Sequence, residues 1–140
     1  MTSRTKVLEF TKDTDVLFFY HNGFSTDLLS FQIRILKDFK TEIVFSQMGA
    51  DKDIKQIRLP LEIQGIIVKL LNRKSSSYSQ TVFESFIEDL GGGSIQCRFG
   101  DLQVIRFQVE EPVTEANMPA PETELLSLYK ALRDFGLSSK

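Results

Sequence analysis

The chain has 140 residues, with 17 basic and 19 acidic side chains and a formal net charge of −2. This length fits one domain, and its 41% hydrophobic residues and twelve phenylalanines are enough for a packed interior. The slight acidic excess argues against a typical nucleic-acid-binding domain, and the single cysteine, Cys97, excludes an intramolecular disulfide and multi-cysteine metal sites.

No signal for membrane insertion or secretion is found in the sequence. No apolar run approaches the ~18 residues of a membrane-spanning helix. The first ten residues, MTSRTKVLEF, lack the apolar segment of a secretion signal. We therefore expect a cytoplasmic protein.

The first third of the chain predicts two strands and a helix. Residues 6–11 have the composition of a strand, and residues 16–20 form an unbroken apolar run, which is typical of a strand covered on both faces. Asn22-Gly23 favours a turn. Ser25 is a suitable N-cap for a helix over 26–39, in which the apolar residues recur at helical spacing: Leu28, Phe31, Ile35, Leu36 and Phe39.

The middle of the chain predicts two more strands and two helices. Residues 42–48 and 54–59 are rich in strand-forming residues. Residues 61–73 fit a helix by their apolar spacing, although their β-branched run and Gly65 also suit a strand. Residues 82–90 have apolar side chains at helical spacing and end at Gly91, which predicts a third helix closed by a glycine C-cap.

The last third predicts a hairpin, a linker and a helix. Strands at 94–99 and 103–109 are joined most consistently by a three-residue loop, because this register pairs Cys97 with Ile105 and keeps the apolar side chains on one face. Residues 110–121 hold three of the four prolines and form an acidic linker. Residues 122–135 predict an amphipathic helix.

These elements predict an α+β fold. The sheet is expected to be single and mainly antiparallel, with about six strands, helices packed over it and the order ββα-ββαα-ββα. The predicted division is a core domain at 1–109, the linker at 110–121 and a C-terminal amphipathic helix at 122–140.

Few residues offer site chemistry. His21 is the only histidine, and it ends the central strand beside Asn22, where side chains of open sheets often face ligands. A polar strand end is the commoner explanation of such a pair. The spaced aspartates at 13–15 and 51–53 suit turns better than a metal site. We therefore predict no catalytic residue, no metal and no cofactor, and a candidate ligand site at His21 and Asn22.

One stretch resembles a known family. Residues 90–112, LGGGSIQCRFGDLQVIRFQVEEP, are similar to the last helix end and strand pair of ATPase domains of the sensor histidine-kinase type. The asparagine box and the DxGxG motif of that family are not found before this stretch. The resemblance therefore implies a degenerate ATPase-like domain at most, without a residue set for nucleotide or magnesium.

Charged residues suggest a surface for another protein. Lys69, Arg73 and Lys74 lie at the end of the predicted second helix, where cations stabilise the C-terminus. The alternative is a patch for an anion or an acidic partner, which Arg58 would extend. The last turns of the predicted third helix carry three acidic residues, Glu84, Glu88 and Asp89. Their charge opposes the helix dipole, so they either pair with Arg73, Lys74 or Arg98 or face a partner.

The apolar face of the last helix must be buried against something. It docks either on its own domain or on another chain, and the long linker favours another chain. The residues of this apolar face are Leu125, Leu128, Tyr129, Leu132 and Phe135. The function expected from these features is a non-enzymatic regulatory or protein–protein interaction module, homodimeric through this helix. The alternatives are a domain that binds a small ligand or nucleotide, and a nucleic-acid-binding protein.

Overall fold

The computed structural model describes residues 8–23, 28–48, 50–85, 91–114 and 117–140. In these residues the chain forms eight strands and two α-helices, besides two single turns of 3-10 helix at Lys37–Phe39 and Ser75–Ser77. In chain order they are β1 (Thr14–His21), β2 (Ser30–Leu36), β3 (Lys40–Gln47), β4 (Ala50–Asp51), β5 (Lys55–Arg58), α1 (Leu61–Leu71), β6 (Val82–Phe83), β7 (Gly92–Arg98), β8 (Val104–Glu110) and α2 (Ala120–Ser138).

The strands form one mixed sheet. Its order is β4-β3-β2-β1-β7-β8-β6, and β5 also pairs with β3. Every pairing is antiparallel except that of β6 with β8. The predicted α+β class is confirmed. The predicted order of elements is matched only roughly, because two helices are described and the sheet has more strands than expected.

The helix predicted over 26–39 is wrong for the residues that are described. β2 occupies this part of the chain and pairs antiparallel with β1, with Phe18 opposite Ile33. Phe31, Ile33 and Ile35 alternate with polar residues and are buried. The segment FQIRIL therefore fits a period of two as well as a helical period, and the sheet partners on both sides decide for the strand. Ser25 lies outside the described residues.

The helix predicted over 82–90 is wrong at its start. Val82–Phe83 is the short strand β6, parallel to β8, and the Thr81 carbonyl accepts a 2.8 Å hydrogen bond from the Gln108 N–H. Pairing with the sheet edge and burial of the Phe83 ring outweigh the helical spacing. Residues 86–90 lie outside the described part of the chain.

The strand predicted at 6–11 is also wrong where it is described, since residues 8–11 form no strand. This segment is held by side chains of the sheet instead. The Leu8 N–H donates to Gln32 Oε1 at 2.9 Å, the Arg34 guanidinium donates to the Glu9 carbonyl, and Arg98 lies 5.2 Å from the centre of the Phe10 ring.

Several local predictions are confirmed. Residues 61–71 form a helix rather than a strand, and Ile63, Ile67 and Leu70 are its buried face. The strands predicted at 42–48 and 54–59 correspond to β3 and β5. The hairpin of β7 and β8 has the expected register, with Cys97 opposite Ile105.

The core lies between one face of the sheet and the two helices. α2 contacts α1, β1 and β2. Phe18 is fully buried there, and its ring centre is 5.3 Å from that of Tyr129. We call the opposite side of the sheet the outer face; Phe19 and His21 of β1 lie on it because side chains alternate along a strand. Both are only partly buried.

Candidate ligand-binding trough

The register of three neighbouring strands places residues of the outer face in rows. Phe19 of β1 is opposite Ser94 of β7, and Ser94 is opposite Gln108 of β8. In the next row, Gly92 lies between His21 and Glu110. Neighbouring strands are about 4.8 Å apart, so β1 and β8 are about 10 Å apart.

The middle strand carries small residues between two strands with larger side chains. Gly92 and Ser94 form the floor of a depression along β7, with aromatic side chains on the β1 side and long polar side chains on the β8 side. This depression, which we call the trough, has a volume of about 480 Å³. Its lining residues are Phe19, His21, Gly23, Ser85, Gly91, Gly92, Gly93, Ser94, Arg106, Gln108, Val109, Glu110 and Glu111.

The glycines of the floor are required by the backbone as well as by the shape. Gly92 has a φ of +154°, and a Cβ there would lie 2.2 Å from the Val109 carbonyl oxygen. At Gly93 a Cβ would lie 1.8 Å from the Phe19 carbonyl oxygen. A side chain at either position would push neighbouring strands apart. Gly92 and Gly93 begin β7, whereas the predicted helix end before Gly91 falls on residues 86–90, outside the described part of the chain.

The wall on β1 is aromatic. The ring centres of Phe19 and His21 are 5.9 Å apart, with 32° between the ring planes. His21 Nδ1 accepts a 3.2 Å hydrogen bond from the Gly23 N–H, which orients the imidazole and leaves Nε2 as its second polar atom. The sequence-predicted residue His21 thus lines the trough. Its neighbour Asn22 does not line it, and the Asn22 N–H donates to the Leu29 carbonyl at 3.1 Å.

The wall on β8 is polar and carries both charges. Arg106, Gln108 and Glu110 alternate with buried or half-buried residues and point to the outer face. Within the described part of the chain, no acidic side chain lies within ion-pair distance of Arg106. Glu110 Oε2 accepts a 3.2 Å hydrogen bond from the Ser85 N–H.

One end of the trough is tied to α2. Glu111 Oε1 forms an ion pair with Arg133, and Glu111 Oε2 accepts a 3.4 Å hydrogen bond from the Tyr129 hydroxyl. Burial, followed by the charge of Glu111, raises the pKa of Tyr129, so its hydroxyl stays protonated and donates this bond. The negative charge of Glu111 is therefore balanced by the helix.

Two residues of the predicted basic patch contact one carboxylate of α2. Arg73 binds Glu124 of α2 through two hydrogen bonds of 2.6 and 2.9 Å, and Lys69 lies 3.4 Å from the same carboxylate. The hydrogen bonds from Arg73 lower the pKa of Glu124. Lys74 is exposed beyond α1, and Arg58 is exposed on β5.

The predicted acidic group is described only at Glu84, which is exposed after β6; Glu88 and Asp89 lie outside the described residues. Of the basic residues proposed to pair with this group, Arg73 binds Glu124 instead. Arg98 donates to the carbonyls of Thr11 and Thr14.

The apolar face of α2 is used inside the chain. Of its five predicted partner-binding residues, Phe135 packs against the core. The other four are fully buried in it, namely Leu125, Leu128, Tyr129 and Leu132. The apolar face of α2, which we predicted to bind another chain, is therefore covered by the sheet and by α1 of the same chain.

The trough contains residues that the sequence did not single out, namely Phe19, Ser94, Arg106, Gln108 and Glu110. For the residues of the hairpin, the only sequence signal was the alternation of polar residues next to three consecutive glycines, and Phe19 belonged to the apolar run at 16–20. In the described ranges, no cluster of three or more His, Cys, Asp or Glu side chains is arranged to hold a metal ion. Nor does any helix of those ranges have the length and apolar character to span a membrane.

Comparison with known proteins finds no matching family model, no matching curated protein and no matching solved structure.

Proposed function

We propose that the chain is a small-molecule-binding domain whose ligand lies in the trough. The observation that supports this is the arrangement of a small-residue floor between an aromatic wall and a polar wall. Its volume of about 480 Å³ lies within the range of ~300–1,000 Å³ typical of ligand pockets. An apolar wall opposite a few polar groups is also the usual chemistry of such pockets.

A regulatory role is supported by the contact between the trough and α2. A ligand that displaced or reoriented Glu111 would change its ion pair with Arg133 and its hydrogen bond with Tyr129. Since Tyr129 packs against Phe18 in the core, the state of the trough is physically linked to the helix layer. We therefore propose a ligand-sensing domain rather than a passive carrier.

The test is to fill the trough and measure binding. Ser94→Leu places a large side chain on the floor, between Phe19 and Gln108. Ser46→Leu is the matched control, because Ser46 is also a half-buried serine on the outer face but lies on β3. We expect a chemically diverse set of small molecules, screened by NMR, to include compounds that bind the parent and the Ser46 variant but not the Ser94 variant.

Both variants must first show the parent's melting temperature, so that lost binding is not lost folding. If no compound distinguishes the Ser94 variant from the Ser46 variant, the trough is not a ligand site. Ser94→Val, which adds less volume and suits a strand, provides an intermediate case if the leucine variant is unstable.

A second candidate function is an interaction module, now centred on α1. Leu61 is 76% exposed and Val68 is 50% exposed, seven residues apart on the same side of this helix. Between them, a Cβ on Gly65 would meet nothing within 4 Å. Two copies related by a twofold axis would place Leu61 of each against Val68 of the other, with Gly65 at the close approach.

Sedimentation equilibrium tests this homodimer. It predicts a concentration-dependent mass that Val68→Glu reduces to that of the monomer, while Glu62→Gln, at an exposed residue of the same helix, leaves it unchanged. A parent protein that stays monomeric at all concentrations excludes this candidate.

A further inference from the structure

We infer that the ligand of the trough is an uncharged, flat heterocycle of the nucleobase or nucleoside class. This inference rests on the proposed function and adds the chemistry of the ligand. It follows from three properties of the trough: its aromatic side, the order of hydrogen-bonding groups on its polar side, and its balance of charge.

The aromatic side suits a flat ring system. Phe19 and His21 have ring planes within 32° of each other and ring centres 5.9 Å apart, so two similarly tilted aromatic rings follow one another along one side of the trough. A planar ligand lying along β7 would be beside both rings. Stacking of a base on an aromatic side chain tolerates different bases, because every base has a π-face.

The polar side suits the edge of a heterocycle. Along β8 the groups change from a donor at Arg106, through a carboxamide at Gln108 that both donates and accepts, to an acceptor at Glu110. Nucleobases present donors and acceptors side by side on their edges, and glutamine can bind such an edge with two hydrogen bonds. Gln108 lies in the same row as Phe19, with only Ser94 between them. One flat ligand can therefore contact both residues.

The charges argue against a phosphate or a nucleic-acid strand. Arg106 is the only lysine or arginine among the described lining residues, whereas Glu110 and Glu111 are both lining acids. The Arg133 ion pair balances Glu111, which leaves one positive group, Arg106, and one negative group, Glu110, on the β8 wall. A phosphate dianion would have a single cationic partner and an acidic neighbour, and the whole chain has a formal charge of −2.

The test uses isothermal titration of the full chain with five probes: adenosine, guanosine, AMP, a short oligoadenylate and leucine, which has no planar ring. We expect at least one nucleoside to bind, and AMP to bind no more tightly than adenosine. Phe19→Leu should weaken nucleoside binding about fivefold or more by removing the stacking surface. Gln108→Leu should weaken it about tenfold by removing the bidentate contact.

Ser94→Leu should abolish nucleoside binding, and Ser46→Leu should leave it unchanged. Tighter binding of AMP than of adenosine, or binding of the oligoadenylate without either nucleoside, would overturn the uncharged-ligand inference. Leucine binding that is lost in Ser94→Leu, without nucleoside binding, would overturn the heterocycle but keep the proposed function. If none of the probes and none of the diverse compounds shows binding that depends on Ser94, both proposals fail.

Discussion

Replacing Leu128 with alanine tests whether α2 belongs to the core of its own chain. Leu128 is fully buried in the layer between the helices and the sheet. Truncation of a fully buried leucine typically costs about 2–5 kcal/mol, because transfer energy is lost and a cavity remains. The unfolding entropy of about 2.1 cal/mol/K per residue makes 1 kcal/mol worth about 3.4 °C in a chain of 140 residues. We therefore expect the melting temperature to fall by about 7–17 °C.

The assay is thermal unfolding followed by circular dichroism, with the mass in solution measured in parallel. Leu137→Ala is the matched control, since Leu137 is on the same helix but is 38% exposed; its effect should stay within about 0.5 kcal/mol. If Leu128→Ala melted within two or three degrees of the parent while the mass fell, this face of α2 would be holding another chain, and the packing described above would be refuted.

Three further predictions follow from burial and charge. Phe18→Ala should cost about 3–5 kcal/mol in urea unfolding, whereas Phe19→Ala, on the partly exposed outer face, should cost clearly less; equal costs would contradict the assignment of the two faces. Cys97 should react with a thiol reagent far more slowly in the native protein than in denaturant, because it is fully buried and its burial raises the pKa of the thiol. Because Arg73 lowers the pKa of Glu124 in the folded state, this carboxylate stabilises the fold above its unfolded pKa of about 4.5, and the stabilisation is lost as the pH falls through the folded value. Glu124→Gln should therefore flatten the fall in melting temperature below about pH 4.5 relative to the parent, and an unchanged fall at acid pH would count against the Arg73 contact.

The parts of the fold that the sequence predicted are those set by local pattern. The β7–β8 register follows from keeping Ile95, Cys97 and Phe107 on one face of a hairpin closed by a three-residue loop, so neighbouring residues carry all the information. The helix at 61–71 follows in the same way from Ile63, Ile67 and Leu70, since this apolar set repeats at helical spacing and spans more residues than a typical strand.

The predictions of secondary structure are wrong where the apolar residues fit both the helical period and the strand period. In the segment of β2, Phe31 and Ile35 are four residues apart, which suits one face of a helix, yet Phe31, Ile33 and Ile35 also alternate. The deciding fact is that β1 and β3 are available on both sides, with Ile33 opposite Phe18 and Ile43. Distant strands provide these partners, so the local pattern cannot show which period applies.

For the same reason, sequence patterns could not predict the residues of the trough, except for His21. His21 could be proposed from its place at the end of a strand, but its companions depend on β7 lying beside β1, a pairing between residues far apart in the sequence. Once that pairing is known, the three glycines have a physical meaning that a helix C-cap does not provide. They allow β7 to approach its neighbours closely, and with Ser94 they keep the middle strand low between Phe19 and Gln108. The small residues of β7 thus allow close strand pairing and also leave space for a ligand. We therefore expect substitutions at Gly93 to impair folding, and substitutions at Ser94 to impair binding.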